Sequence, residues 1–340
     1  MQADNILIRG TNWIGDAVMT LPAIAAIRNT FPRAKITILV KPWVADVFKF
    51  CPDVDDIMLY HQPGVHDGML GILRLAGDLK ERKFDTAILL QNAIEAAIIS
   101  RLAGIPNRAG YNSDGRGFLL THAVKRTKTV RKLHQIDYYL EMVKALGCQP
   151  VGREAVLTLG KNAECQAERL LARHGLQDNR PLVGIAPGAS YGPAKKWFPE
   201  RFALVADRLI DAFSAQVMLF GSSADKESVA QVQQNAKFPL CTLAGTTNLT
   251  ETMALIARCR LFISNDSGLM HLAGAMGIPV IAIFGSTNPE ATSPPGHKNI
   301  IIHKDVICSP CLKPVCPTDF RCMDLIRVDD VYEAAVRMLQ

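Results

Sequence analysis

Short apolar runs alternate along the chain with longer stretches that have helical periodicity. In the first half, these runs predict buried strands at 5–10, 34–40, 55–60 and 84–90. Helices are predicted at about 15–30, 43–50, 69–82 and 134–147. Strands that alternate with helices are typical of a parallel sheet, because each parallel connection needs a crossover.

The same alternation begins again after residue 180. Strands are predicted at 181–188, 215–222, 259–266 and 279–285, and helices at about 198–213, 224–236, 250–258, 268–277 and 328–340. Two such arrays predict an α/β protein of two Rossmann-like domains, with parallel sheets facing a central cleft. We expect domains at 1–160 and 175–325 and a C-terminal helix in 326–340, with the boundary within 148–180.

The composition limits the classes of protein to which the chain can belong. The 340 residues are 49% hydrophobic and 21% charged, enough for two cores without disulfides. No apolar run approaches the roughly 18 residues of a membrane-spanning helix, and the N-terminus lacks the features of a signal peptide. The sequence therefore predicts a cytoplasmic protein. A net charge of +6 does not indicate nucleic-acid binding, and we expect no nucleic-acid partner.

Basic residues are concentrated between residues 101 and 132, where Asp114 is the only acid. This stretch fits either a solvated basic face or a site for a polyanion such as a phosphate, an acidic sugar or an anionic membrane. Its basic residues are Arg101, Arg108, Arg116, Lys125, Arg126, Lys128, Arg131 and Lys132.

Four of the nine cysteines cluster near the C-terminus with the spacing C-x2-C-x4-C-x5-C, at Cys308, Cys311, Cys316 and Cys322. This spacing fits neither a usual zinc ribbon nor a ferredoxin. Three prolines in the segment predict an irregular loop. We favour a packed, thiol-rich loop over a bound metal, and expect the other cysteines to be reduced.

The loop after the first predicted strand carries a candidate catalytic carboxylate. Gly10 and Gly15 have the spacing of a phosphate-binding Walker loop, but Asp16 follows where that loop has lysine, which disfavours ATPase or GTPase chemistry. By position alone, Asp16 could simply complement the positive end of a helix. Pro22 predicts that this helix kinks or restarts, with Thr20 as a candidate cap.

Two loops in the second half are candidates for binding an anion. The glycine-rich segment 187–197 delivers Lys195 and Lys196 just before a helix. Ser267 and Gly268 follow a strand and open another helix, where free backbone N–H groups attract anions. Each loop alone could be an ordinary turn. Together they favour a diphosphate site.

Three segments carry a resemblance to a known family: ILIRGTNWIGDAVMTLPAI, PGASYGPAKKWFPERF and SNDSGLMHLAGAMGIPVIAIFGSTNPE. In this order, they resemble the bacterial lipopolysaccharide heptosyltransferases of glycosyltransferase family 9, and PGASYGPAKKW is most similar to the heptosyltransferase II branch. The resemblance implies a GT-B architecture with the donor in the C-terminal domain and the acceptor in the N-terminal one. It also implies transfer of L-glycero-D-manno-heptose from ADP-heptose to the lipopolysaccharide inner core, with inversion and without a metal or other cofactor.

The resemblance assigns roles to individual residues. It implies that Asp16 is the general base and that Lys195 pairs with the ADP phosphates, assisted by Ser267 and Gly268. Asp266 would bind sugar hydroxyls or anchor its loop, and His271 would contact the donor or pack in the core. The other donor-contact candidates are Thr11, Asn12, Gly15, Ser190, Asp225 and Thr247.

The basic stretch then gains an expected use in acceptor binding, because the acceptor carries phosphates and Kdo carboxylates. Arginines are favoured over lysines because a guanidinium binds either group bidentately. The candidates are Arg108, Arg116, Arg126 and Arg131. Contact with the cytoplasmic face of the inner membrane would be peripheral. The alternatives are a related transferase with another core acceptor or nucleotide sugar, or a non-catalytic module that binds nucleotides or glycans.

Overall fold

The computed structural model describes residues 3–177 and 179–340. The chain divides into two compact domains, Met1–Val156 and Leu157–Gln340. No helix in these two described stretches is both long enough and apolar enough to cross a membrane.

The first domain is built on a six-stranded parallel sheet with the order β3-β2-β1-β4-β5-β6. Its strands are β1 (Asn5–Arg9), β2 (Lys35–Val40), β3 (Asp56–Leu59), β4 (Thr86–Leu89), β5 (Asn107–Tyr111) and β6 (His122–Val124). Its helices are α1 (Ile14–Thr30), α2 (Ala45–Phe48), α3 (Gly68–Glu81), α4 (Ile94–Leu102) and α5 (Gln135–Ala145). Short 3-10 turns cover Arg116–Leu119 and Val130–Lys132.

Helices cover both faces of this sheet, which explains why its central strands β1, β2 and β4 are mostly apolar. On one side, α3 and α4 pack over a cluster that includes Leu75, Leu79 and Leu89. Elsewhere in the domain, α1 packs against α5. The expected restart at Pro22 is wrong, because α1 is a single helix, and the Thr20 hydroxyl donates to the carbonyl of Ala17 instead of capping.

The second domain repeats the same topology, with the strand order β12-β11-β10-β7-β8-β9. Its strands are β7 (Leu182–Ala186), β8 (Gln216–Leu219), β9 (Cys241–Thr242), β10 (Leu261–Asn265), β11 (Val280–Ile283) and β12 (Asn299–Ile302). Its helices are α6 (Lys161–Arg173), α7 (Pro199–Phe213), α8 (Lys226–Asn235), α9 (Leu249–Ile256), α10 (Gly268–Ala275), α11 (Pro289–Thr292), α12 (Arg321–Asp324) and α13 (Val328–Leu339). Short 3-10 turns cover Pro193–Lys195 and Ser223–Asp225.

The last helix belongs to the second domain. Val331, Ala334 and Ala335 of α13 are fully buried in a cluster that also contains Phe202 and Leu209 of α7. The expectation of two Rossmann-like α/β domains with parallel sheets is confirmed. In each domain, the loops that follow the strands leave from the carboxyl edge of the sheet, where open α/β sheets bind ligands.

Candidate active site

In the first domain, a tightly packed turn delivers Asp16 to the carboxyl edge of the sheet. Gly10 extends β1 and donates its N–H to the carbonyl of Leu39. A Cβ on Gly10 would lie 2.6 Å from Cγ1 of Val40, so the close approach requires glycine here. Asp16 lies half-buried in the first turn of α1, where the positive end of the helix favours a carboxylate.

The residues between Gly10 and α1 are fixed by neighbours from β1 and from the loop after β2. Asn12 accepts a hydrogen bond from Nη2 of Arg9 through Oδ1, at 3.0 Å, and another from the indole N–H of Trp43 through its backbone carbonyl, at 2.9 Å. Thr11 is buried. Gly15 lies beside Asp16 in the first turn of α1. Thr11, Asn12, Gly15 and Asp16 therefore occupy one segment at this edge.

In the second domain, an ion pair joins two of the predicted donor-site residues. Nζ of Lys195 lies 2.6 Å from Oδ2 of Asp266, and the hydroxyl of Thr287 donates to the same oxygen at 2.7 Å. The exposed fractions of the two charged side chains are only 15% and 6%. Lys195 also lies over the ring of Tyr191. The pair places a partly accessible cation at the carboxyl edge of the second sheet.

Asn265 connects the strand that carries Asp266 with the loop that carries Lys195. Its Oδ1 accepts from the backbone N–H of Trp197, and its Nδ2 donates to the carbonyl of Pro187. The buried indole of Trp197 donates in turn to the carbonyl of Ile326. Both ends of the glycine-rich loop are thereby fixed to the core, which positions Lys195.

The segment 308–322, which contains the four clustered cysteines, contacts the loop that carries Lys195. The Tyr191 hydroxyl donates to the carbonyl of Leu312, and the N–H of Ala194 donates to that of Pro314. A Cβ on Gly192 would lie 2.3 Å from the Pro314 carbonyl oxygen, so the contact leaves no room for a side chain. All four cysteines are free thiols. Among residues 3–177 and 179–340, no group of His, Cys, Asp or Glu is arranged to hold a metal ion.

Helix α10 begins two residues after Asp266, the carboxylate of the ion pair. Ser267 is its N-cap residue and Gly268 its first helical residue. The Ser267 hydroxyl lies 3.0 Å from that of Ser264, which fixes the turn before the helix. His271 is buried one turn inside α10. The first N–H groups of this helix are of the kind that binds anions.

Of the remaining donor candidates, Ser190 lies on the same loop as Lys195, and Asp225 and Thr247 lie on two other loops at this edge of the second sheet. Ser190 is exposed. Asp225 accepts from the backbone N–H and the hydroxyl of Ser222 and so closes a capping box. The Thr247 hydroxyl lies 2.9 Å from that of Thr252. The fold therefore gathers these residues at one edge, although Asp225 and Thr247 already have partners within their own turns.

The four arginines expected to bind the acceptor fall into two pairs. Arg116 has no exposed surface and donates to the backbone carbonyls of Leu89, Gln91, Ala93 and Tyr111. Arg108 is 8% exposed and donates to the carbonyls of Ile105, Pro106 and Leu119. We correct the expectation for these two, which hold loops together. Arg126 and Arg131 are exposed.

Burial lowers the pKa values of the two interior arginines. The pKa of Arg116 falls to about 10, and the pKa of Arg108 is also lowered. Both groups remain charged near neutral pH, and the carbonyls offset part of their desolvation. From the sequence alone, nothing distinguishes these arginines from their exposed neighbours.

Comparisons with known proteins identify the family. Residues 72–320 match the model for glycosyltransferase family 9 (heptosyltransferase). The chain belongs to glycosyltransferase family 9. It is 31% identical to lipopolysaccharide heptosyltransferase 2 of Salmonella typhimurium over 308 residues, which cover 87% of each chain.

Solved structures of two glycosyltransferases share the fold of this family 9 enzyme. The structure of ADP-heptose lipopolysaccharide heptosyltransferase II from E. coli matches with a TM-score of 0.84 and 26% identity, covering 98% of both chains. A family 9 glycosyltransferase from Veillonella parvula matches with a TM-score of 0.91 and 25% identity, covering 100% of this chain and 98% of that one.

The sequence interpretation missed three residues that shape the second-domain site of this enzyme. Thr287 holds Asp266, Asn265 fixes the loop of Lys195, and Tyr191 links that loop to the cysteine-containing segment. Asn265 lies at the end of one apolar run that predicts a strand, and Thr287 closely follows another. This position at the end of a predicted strand is the sequence signal that could have identified both residues. The contact between Tyr191 and Leu312 has no signal in the sequence, because 121 positions separate the two residues.

We expect Arg116→Met to lower the free energy of unfolding by about 3 kcal/mol, because buried carbonyls lose their donor. Urea denaturation measures the change. The control is Arg131→Ala, which alters an exposed arginine and should change the free energy by less than about 0.5 kcal/mol. Equal, small effects of both substitutions would contradict the structural role of Arg116.

We expect Lys195→Met to weaken ADP binding roughly 10- to 100-fold, because a charge-assisted contact to the diphosphate is lost. Isothermal titration calorimetry with ADP measures the change. Lys196→Met is the matched control, since the neighbouring lysine contacts Ser228 and not Asp266. An unchanged affinity in Lys195→Met, or equal losses in both variants, would refute the assignment.

Proposed function

We propose that this family 9 enzyme transfers L-glycero-D-manno-heptose from ADP-heptose to the inner core of lipopolysaccharide, with inversion at the anomeric carbon. The observation that carries the proposal is the partly buried pair of Lys195 and Asp266 beside the first turn of α10. The similarity to lipopolysaccharide heptosyltransferase 2 of Salmonella typhimurium and to ADP-heptose lipopolysaccharide heptosyltransferase II of E. coli supports the choice of donor and acceptor.

The second domain would hold the leaving group. As ADP-heptose binds, the diphosphate would share Lys195 with Asp266, while backbone N–H groups at Ser267 and Gly268 donate to other phosphate oxygens. Thr287 continues to hold Asp266, so the carboxylate stays in place beside the new anion. Donors fixed before the reaction stabilise developing charge at little reorganisation cost. No metal and no other cofactor would take part in this step.

The first domain would supply the base. In a single displacement, the acceptor hydroxyl attacks the anomeric carbon from the face opposite the diphosphate. The bond to the phosphate oxygen breaks as the new glycosidic bond forms, and its electron pair leaves with ADP. Asp16 accepts the hydroxyl proton. A carboxylate of ordinary basicity suffices, because the proton becomes acidic only as the bond forms.

We propose that the first domain contacts the cytoplasmic face of the inner membrane, where a lipid-linked acceptor would lie. Helix α3 exposes Met69, Leu70 and Leu73, with exposed fractions of 80%, 82% and 49%. Arg74 lies next to them and is also exposed. Apolar side chains beside basic ones fit the interface of an anionic bilayer. Arg126 and Arg131 remain the proposed contacts for the anionic acceptor.

We expect Asp16→Asn to lower kcat for heptose transfer by about 10²- to 10⁴-fold, because the amide cannot accept the proton. Mass spectrometry of a truncated core incubated with ADP-heptose measures transfer, and calorimetry should show unchanged ADP binding. Asp46→Asn is the control, since Asp46 also lies in the first turn of a helix of this domain. Full activity of Asp16→Asn would eliminate Asp16 as the base. Absence of any transfer by the wild-type enzyme would overturn the proposed function.

We expect a variant with Met69, Leu70 and Leu73 changed to Ser to bind anionic phospholipid vesicles at least about tenfold more weakly, because apolar surface no longer enters the interface. Vesicle sedimentation measures binding. Leu204→Ser removes an exposed leucine of the second domain and is the control. Equal binding by the triple variant and the wild type would exclude this face.

A further inference from the structure

Two buried cations lie side by side at the carboxyl edge of the first sheet, outside the residues discussed above as catalytic or donor-binding. Arg9 ends β1 and is 2% exposed, and Lys41 directly follows the neighbouring strand β2 and is 4% exposed. Arg9 pairs with Leu39 in the register of these strands, so the two side chains start from adjacent positions. Burying two like charges together is costly unless anions balance them.

Among the described residues, both side chains contact neutral groups. Nζ of Lys41 lies 2.6 Å from the side-chain oxygen of Gln62, 3.0 Å from its carbonyl, and 3.7 Å from the ring centre of Tyr60. Arg9 donates to the carbonyls of Gly10 and Leu39 and to Asn12, and its guanidinium lies 5.3 Å from the same Tyr60 ring. Neither cation forms an ion pair with a carboxylate within the described part of the chain.

The charged groups that face Lys41 do not balance the pair. Glu95 of α4 acts at a distance and is hydrogen-bonded to the hydroxyl of Tyr60, at 3.0 Å. Asp67 also acts at a distance and accepts from the N–H of Gly64. His66 also lies near Tyr60, with ring centroids 5.8 Å apart, and has a lowered pKa because of burial. Burial, followed by the charge of Arg9, lowers the pKa of Lys41 to about 8.

The cluster of Arg9, Lys41 and the neighbouring Thr11 also contains buried polar atoms that form no hydrogen bond with the described residues. Nε of Arg9 and the hydroxyl of Thr11 are buried without a hydrogen-bond partner among the described residues. Arg116 provides the contrast, because its Nε donates to the carbonyl of Tyr111 and its other nitrogens also bind carbonyls. Arg116 has the contacts of a structural arginine, whereas Arg9 retains a donor next to a second cation.

We propose that Arg9 and Lys41 bind an anionic group of the acceptor, a phosphate monoester or a sugar carboxylate. This inference rests on the proposed function, because it assigns a part of the acceptor to the first domain. The anion supplies the negative charge that the cluster lacks, and Tyr60 positions both cations through their contacts with its ring. Lys41 and Arg9 are thereby specificity residues for the acceptor and take no part in donor binding.

The test is a comparison of Lys41→Met with the wild type on three acceptors: the intact truncated core, the same core after phosphatase treatment, and the core with its carboxylates reduced. We expect Lys41→Met to raise KM for the intact core by about tenfold or more, with little change in kcat or in the Kd for ADP. The acceptor modification that removes this difference between variant and wild type identifies the bound group.

The matched control is Lys35→Met, which removes an exposed lysine from the opposite end of the same strand. It should leave KM unchanged. Because Lys41 loses its proton near pH 8 in the free enzyme, KM for the intact core should rise above that pH in the wild type. Lys41→Arg should reduce this rise, since arginine stays charged.

A structural role for Lys41 would give a different result. Lys41→Met would then lower the melting temperature and reduce kcat/KM equally for all three acceptors, which would overturn the proposal. Removal of an unbalanced buried charge should instead leave the melting temperature of the free enzyme unchanged or raise it. Failure of the proposed function is distinguished by the wild type, which would then transfer heptose to none of the acceptors.

Discussion

The constraint on which the structure depends is the parallel direction of every strand pair in both sheets. Each connection must cross the sheet through a helix or a long loop, so the loops that follow the strands share one edge. The site residues need not be close in sequence to lie together. Lys195 and Asp266 are 71 positions apart, yet each follows a strand of the same sheet and they form one ion pair.

The helices that cover both sheets also explain which buried charges the protein can accommodate. Helices on both faces exclude water from the interior, so a charged group there requires many hydrogen bonds or a counterion. Arg108 and Arg116 are satisfied by backbone carbonyls, and Lys195 by Asp266. Within residues 3–177 and 179–340, Arg9 and Lys41 donate hydrogen bonds only to neutral groups, and this difference separates a structural role from a ligand site.

Much of the fold could be predicted from the sequence, because the inner strands of a covered parallel sheet are uninterrupted apolar runs. All eight predicted strands are present. The strands that were missed lie toward the outer sides of the sheets. β5 (NRAGY) contains Asn, Arg and Gly, β6 has three residues and β9 only two, so their apolar pattern is weak. β12 was missed although it reads NIII, because it follows a segment rich in Pro and Gly.

Site residues could be predicted from the sequence where a local motif fixes their geometry. They could not be predicted where contacts between distant segments determine their position. Ser267 at the start of α10 follows from a strand, a turn and a helix in sequence. Arg116 is buried against four carbonyls, which come from the ends of β4 and β5 and from the segment that follows β4, and no local sequence pattern indicates these contacts. The same limitation concealed the support that Leu312 and Pro314 give to the Lys195 loop.

The most direct measurement is a crystal structure of the protein with ADP. We expect diphosphate oxygens within about 3 Å of Nζ of Lys195 and of the backbone nitrogens at the start of α10. A nucleotide bound at another edge of the second domain, with the ion pair of Lys195 and Asp266 unchanged, would show that these residues do not hold the leaving group.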